Sequence, residues 1–278
     1  MERASIKELR EKAKEIRSNI ITMLEASGSG HPGGSLSSAD VMATLFFRVM
    51  RHDLRNPSWD ERDRFVLSKG HCAPVLYATL ASAGYIPKEE LLTLRKLNSR
   101  LQGHPGMIEL PILEASTGSL GQGLSISVGI ALAAKMDKKS HSVFCLMGDG
   151  EQQEGMVWEA VMSAKQFRLD NLCAIVDANK IQLSGSTRDV IDVETLTRKY
   201  RAFGWRVIRV NGHSIPSLLL AFKLFEWNKM MNRGKPFAII ADTIKGKGVS
   251  FMEGKVEWHG KAPNSDEASR ALKEISSR

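Results

Sequence analysis

The segment from Ser142 to Asn179 constrains this chain more than any other. Ser142 to Met147 (SVFCLM) is a short apolar run, and Leu172 to Val176 (LCAIV) is a second. Between them, Met156, Val157, Ala160, Val161, Ala164 and Phe167 recur at helical spacing. Two strands joined by one such helix run parallel, with a right-handed crossover. Asp149, within Gly148-Asp149-Gly150, then ends the first strand, and Asn179 ends the second. Both project from the carboxyl edge of the sheet, where open α/β folds bind their ligands. A carboxylate and an amide oxygen beside a glycine turn are hard donors, suited to Mg2+ or Ca2+ holding a diphosphate.

The rest of the chain alternates in the same way. Ile6, Leu9, Ala13, Ile16, Ile20 and Leu24 predict an amphipathic helix over residues 1–26, ending in a glycine-rich turn at 27–34. Further helices are expected at 38–50, 73–83, 87–97 and 124–135, with a short strand at 65–67. Residues 207–210 and 237–241 read as strands flanking a helix over 214–231. Residues 243–264 read as loop, and a charged helix over 265–276 follows. This alternation predicts an α/β fold, a doubly wound parallel sheet with helices on both faces. With no repeats and no linker, residues 1–278 read as one domain with helical additions at both ends.

Net charge is +8, which favours acidic ligands such as sugar phosphates. The basic runs (Arg95-Lys96, 198–201, Arg206 and Arg209) match no nucleic-acid-binding motif, so nucleic acid is not an expected partner. Cys72, Cys145 and Cys173 show no CxxC pairing, and two of them fall in the predicted strands. That pattern points to reduced structural thiols and a cytoplasmic location. No apolar run approaches the length of a membrane span, and the first residues form a charged helix, not a signal peptide.

Four histidines sit in turns bounded by glycine or proline: His31 (GSGHPGG), His71 (SKGHC), His104 (QGHPG) and His259 (EWHGKAP). Turns after strands display reactive side chains, and histidine can donate to a phosphate or exchange a proton near neutral pH. One such histidine is usually just exposed; four in one chain suggest a site. The glycine-rich loop 117–123 precedes a helix and offers backbone N–H groups to an anion. Its order is not that of a dinucleotide fingerprint, and no P-loop exists, so NAD and ATP rank low. No spacing suggests zinc. Lys245-Gly-Lys-Gly248 offers two cations and open backbone for phosphates, or is a solvated turn.

Taken together, these residues resemble the thiamine diphosphate-binding half of transketolase. The matching segments run in order along nearly the whole chain: SGHPG at 29–33, DRFVLSKGH at 63–71, QGHP at 102–105, TGSLGQG at 117–123, GDG at 148–150 through Asn179, and HG at 259–260. The GDG-to-Asn motif is specific for the thiamine diphosphate superfamily, and the histidine elements narrow it to transketolase-like enzymes. The resemblance implies that Asp149, Asn179 and the backbone carbonyl of Ile181 ligate Mg2+, with Ca2+ or Mn2+ as alternatives. Gly148 belongs to the same cofactor turn, and Gly150 contacts the diphosphate through its N–H. His71 and His259 contact the cofactor and line the site. His31 and His104 hydrogen-bond the donor sugar near its first hydroxyl and carbonyl. Gly118, Ser119 and Leu120 lie near the aminopyrimidine, and Glu154 matches an acid at the subunit interface. All four histidines are thus candidate catalytic residues.

Asn179 is followed by Lys180, where the family often has Asn or Gly, but ligation needs only the first residue. A full transketolase is more than twice as long; its second domain binds the pyrimidine and supplies the glutamate that activates the cofactor. About twenty residues follow His259 here. The expectation is therefore the N-terminal subunit of a split transketolase, paired with a C-terminal subunit in a dimer of heterodimers. The alternatives are a related thiamine enzyme subunit specific for a modified sugar or a 2-oxo acid, and a catalytically silent regulatory homologue.

Overall fold

The computed structural model describes residues 4–277, so the first three residues of the first predicted helix, and residue 278 of the predicted domain, lie outside the described residues. Helix α1 (Ile6–Ser27) opens with a capping box, in which the Ser5 side chain accepts from the Glu8 N–H and Glu8 reaches back to the Ser5 N–H. It closes at Gly28, whose φ of 62° ends the helix in the left-handed region. Leu9, Ala13, Ile16, Ile20 and Leu24 are buried as predicted, whereas Ile6 in the first turn remains exposed.

The next segment departs from the predicted turn and helix. Helix α2 (Pro32–Ser37) begins inside the glycine-rich turn, with Pro32 supplying a preset φ at its start. It runs through Ser38 into α3 (Ala39–Thr44) and a π turn at Leu45–Val49. Both helical positions need glycine for lack of room: a Cβ on Gly34 would lie 2.6 Å from Cys72 Sγ, and one on Gly33 2.7 Å from the Trp258 carbonyl.

Strand β1 (Arg64–Leu67) and helix α4 (Ala73–Ala83) follow as expected. The helix predicted over 87–97 is only a 3-10 stretch, Lys88–Thr93. Its apolar positions bury only Leu91 and Leu94, and the chain then reverses through Arg95 and Asn98, both at positive φ. Helix α5 (Gln122–Met136) leads to β2 (Val143–Gly148), α6 (Gly155–Gln166) and β3 (Leu172–Ala178). In α6, Val157, Ala160, Val161 and Ala164 face the core, but Phe167, just past the helix end, is half exposed.

A small hairpin, β4 (Ile181–Gln182) with β5 (Gly185–Ser186), and two short helices, α7 (Thr187–Val190) and α8 (Leu196–Ala202), have no counterpart among the predicted elements. The chain ends with β6 (Arg206–Asn211), α9 (Ile215–Met230), β7 (Phe237–Asp242) and α10 (Ser265–Ser277). A 3-10 turn at Val256–His259 interrupts the predicted loop.

The main sheet has five parallel strands in the order β1-β2-β3-β7-β6. Strands alternate their side chains between two cores. Cys173 and Ile175 of β3 pack with α1, α3, α4 and α9 on one face, while Ala174 and Val176 pack with α5, α6 and α8 on the other. A central strand buried on both faces explains the unbroken apolar run LCAIV. The order reverses between β6 and β7, so their right-handed crossover puts α9 on the face opposite α6. Residues at the ends of β2 and β3 meet at the carboxyl edge, where Gly148 pairs with Asp177.

Candidate active site

The carboxyl edge encloses a cavity of about 310 Å3, with His31, His71, His259, Asp149, Asn179 and Lys245 among its lining. Gly118, Leu120, Gly148, Gly150, Glu154 and Ile181 also line it. Ser119 is exposed and does not line the cavity, and His104 stands at its rim with its ring close beside Gly118. The structure therefore brings together nearly all the residues singled out in the sequence.

Asp149 follows β2 directly and is buried. Its Oδ1 accepts the Gly150 N–H at 2.9 Å and its Oδ2 the Lys180 N–H at 2.5 Å. Burial, and then the negative charge of Asp177, push its carboxyl up to about 6. Asn179 donates its amide to Asp177 Oδ2 at 2.9 Å, which fixes the amide and leaves Oδ1 to accept the Ile181 N–H at 3.1 Å. The Ile181 carbonyl accepts from Lys245 Nζ at 2.8 Å, so this oxygen already faces a cation.

Beneath these groups lies a buried polar network that the sequence motifs mark only in part, through Ser68 and Lys69 of the SKGH turn. Asp177, fully buried on β3, accepts from Lys69 Nζ at 2.6 Å, from Ser37 Oγ at 2.7 Å and from Asn179, while Thr243 donates to its other oxygen. Burial opposes the charge on both partners. The Lys69 ammonium nevertheless holds Asp177 below the usual carboxylate range, and Asp177 in turn keeps Lys69 above the usual lysine value. Glu151, also buried, accepts from Ser68 Oγ, from the Gly121 N–H at 2.8 Å and from the Gly148 N–H at 3.0 Å. It thereby ties the SKGH turn, the glycine loop and the GDG turn to one carboxylate. Burial raises its pKa despite those donors.

Three of the histidines form a triangle, with ring centroids 5.2 Å apart for His31–His71, 5.3 Å for His71–His259 and 5.6 Å for His31–His259. Burial lowers all three, to about 4 for His31 and His71 and about 3 for His259. Neighbouring cations and imidazoles add to this: Lys69 and Lys245 beside His71, Lys245 beside His259, and His71 and Arg95 beside His31. His104 is lowered by burial, His71 and Arg95. Lys245 Nζ lies 2.7 Å from His259 Nδ1, and burial brings this amine down to about 8. Of the two lysines noted in the 245–248 segment, only Lys245 lines the cavity; Lys247 pairs with Glu253.

This donor set fits a diphosphate held by a divalent cation. Asp149 is a carboxylate whose pKa is raised by burial and then by the charge of Asp177, and a cation there would oppose both. His31 Nδ1 is buried with no hydrogen-bond partner. Among the described residues no group of three or more His, Cys, Asp or Glu is placed to hold a metal. The available oxygens, one carboxylate, one amide and one backbone carbonyl, are those a hard oxygen-seeking ion takes together with ligand oxygens and water.

The chain matches the family model described as transketolase, thiamine diphosphate binding domain, over residues 9–276. A subunit of apulose-4-phosphate transketolase from Phocaeicola vulgatus is 43% identical over 262 residues, covering 94% of this chain and 92% of that protein. The 6-deoxy-6-sulfo-D-fructose transketolase subunit SqwG of Clostridium sp. (strain MSTE9) is 45% identical over 252 residues, covering 91% and 90%. Among solved structures, the transketolase from Campylobacter jejuni superposes with a TM-score of 0.90 at 34% identity, covering 98% of this chain but 43% of that one.

Proposed function

The chain belongs to the transketolase family, and from that premise we propose that it is the N-terminal, cofactor-anchoring subunit of a two-subunit transketolase. The assembled enzyme moves a two-carbon ketol unit from a ketose phosphate to an aldose phosphate, with its site completed by a C-terminal partner in a dimer of heterodimers. The observation that carries this reading is the convergence of Asp149, Asn179 and the Ile181 carbonyl with three histidines in one cavity. Two relatives of nearly the same length carry the word subunit in their names, which favours a separate partner chain.

Asp149, Asn179 and the Ile181 carbonyl would hold Mg2+, and the Lys245 ammonium and the Gly150 N–H would meet the diphosphate. When bound, thiamine diphosphate supplies the electron sink that cleavage of a ketose carbon–carbon bond requires. The protein's own groups position and protonate. Burial holds His31, His71 and His259 well below the usual histidine value in the ligand-free chain, so there they stand as neutral imidazoles able to accept a hydrogen bond from a hydroxyl. His259 Nδ1 accepts from the Lys245 ammonium, which leaves its proton on Nε2 for donation. His104, at the rim beside Gly118, would hydrogen-bond the donor sugar near its first hydroxyl and carbonyl. Glu154 is exposed at the start of α6 on the cavity wall, where a partner subunit can reach it.

Mixing the purified chain with its C-terminal subunit tests the reading. Ketol transfer should appear only in the mixture, assayed with D-xylulose 5-phosphate, apulose 4-phosphate and 6-deoxy-6-sulfo-D-fructose as donors. Turnover by the chain alone, or none with any donor in the mixture, would overturn it.

A further inference from the structure

A second cavity, of about 400 Å3, lies between α1, α10 and the turn at 247–248, and it shares no lining residue with the carboxyl-edge site. Lys7, Arg10, Lys14 and Arg17 line it from α1, spaced i, i+3, i+7 and i+10, which is one face of a helix. Lys247 adds a fifth cation. Lys7 and Arg10 are exposed, Lys14 is partly buried and Arg17 is buried, so the positive charge runs from solvent to the cavity floor. Two carboxylates also face it, and both are already paired. Asp40 holds Arg17 through both oxygens, at 3.2 and 2.5 Å, and accepts from His213 Nδ1 at 2.8 Å; Glu11 lies 3.2 Å from Lys14 Nζ. His213 Nε2 accepts the Ile244 N–H at 2.8 Å, so the ring carries its proton on Nδ1. Glu253 pairs with Lys247 from outside the lining, and five cations thus meet three carboxylates, an excess of two positive charges. Among the described residues Lys7 and Arg10 make no ion pair and no side-chain hydrogen bond.

We infer that this cavity is a second anion-binding site, taking a compact ligand with two phosphate groups, either inorganic diphosphate or a sugar bisphosphate. Its volume lies in the range of small-molecule sites. The unused Arg10 guanidinium can grip one phosphate in bidentate fashion, and the Lys7 and Lys14 ammonium groups offer point charges to the other. At the floor, Arg17 spends three of its five N–H donors on Asp40 and the Lys247 carbonyl and keeps two. That floor is the reverse side of the segment carrying Lys245. Arg17 Nε holds the Lys247 carbonyl at 3.1 Å and His213 holds the Ile244 N–H, while Lys245 between them reaches the Ile181 carbonyl and His259. A ligand held there rests on a wall common to both cavities. The inference goes beyond the transketolase reading and does not depend on it. The competing role is a solvated basic face, which would attract any anion weakly and in proportion to charge alone.

The test is calorimetric titration of inorganic diphosphate and, separately, of glucose 1,6-bisphosphate into the complex with the C-terminal subunit. Thiamine diphosphate is kept in excess at constant free Mg2+, so that the carboxyl-edge site is filled. At least one probe should bind saturably, at one site per chain, with Kd below about 1 mM, and the tighter one tells free diphosphate from sugar bisphosphate. The variant Lys7→Gln/Arg10→Gln should weaken that binding at least tenfold and leave thiamine diphosphate affinity unchanged. Lys138→Gln/Lys223→Gln removes the same charge from exposed positions outside the cavity and should change it less than twofold. No saturable binding of either probe, or an equal loss in the two double variants, overturns the assignment in favour of the solvated face. Binding that persists in a complex without ketol transfer supports this site and counts against the transketolase reading alone.

Discussion

Replacing Lys69 by methionine is expected to destabilise the chain by about 3 kcal/mol, near the lower end of the range for breaking a buried ion pair. Lys69 is 2% exposed and Asp177 0%, and their Nζ and Oδ2 lie 2.6 Å apart. Methionine preserves the length of the apolar stem but leaves a carboxylate without its nearest cation. The loss stays at the low end because Ser37, Asn179 and Thr243 still donate to Asp177. Asp177→Asn should cost a similar amount, since it strands the ammonium on the Gly34 carbonyl and Ser38 Oγ. The double variant Lys69→Met/Asp177→Asn removes both charges, so it should be less unstable than the two singles combined by about 2 kcal/mol. Urea unfolding of the four proteins at pH 7.5 and low salt measures this coupling directly. Additive losses would refute the claim that this pair acts as a unit. Because Asp177 also holds the Asn179 amide, Lys69→Met should weaken Mg2+-dependent cofactor binding as well.

Two further predictions concern the site. Asp149 has a folded pKa of about 6 against an ordinary 3.8, so its contribution to stability is full below pH 3.8 and lost as the pH rises through 6. In the ligand-free chain, Asp149→Asn should therefore gain on the wild type by about 2–3 kcal/mol between pH 4 and 8, on top of a constant offset from altered hydrogen bonds. Parallel stability curves across that range would contradict the raised pKa. His104→Ala should lower kcat/KM of the complex by about 10–100-fold while leaving cofactor affinity within about twofold, because His104 stands at the rim and not at the metal donors. A loss of cofactor affinity, read by calorimetry, would contradict that placement.

The part of the fold readable in advance is the part set by local pattern. The unit from β2 to β3 is legible because two uninterrupted apolar runs flank an amphipathic helix, and both runs end in a polar donor. Helix α4 matches its predicted span, 73–83. The histidine turns are legible as candidates, and folding brings three of them within 5.6 Å of one another. What the sequence hides is non-local. Nothing in the run LCAIVDAN marks Asp177 as the partner of Lys69, Ser37 and Thr243, because those contacts join four distant segments. Glu151 likewise joins segments far apart in sequence, binding Ser68 and Gly121. The hairpin β4–β5 is too short to carry a period, and the glycine turn at 27–34 hides a helix start because tertiary packing, not propensity, puts Gly33 and Gly34 into it.

The most direct test of the account is calorimetric titration of thiamine diphosphate into the chain complexed with its C-terminal subunit, with and without Mg2+. Binding should require the metal, disappear under chelation, and be lost in both Asp149→Ala and Asn179→Ala with the complex intact. Metal-independent binding, or affinity unchanged in either variant, would contradict the assignment of the carboxyl edge as the anchor for metal and diphosphate.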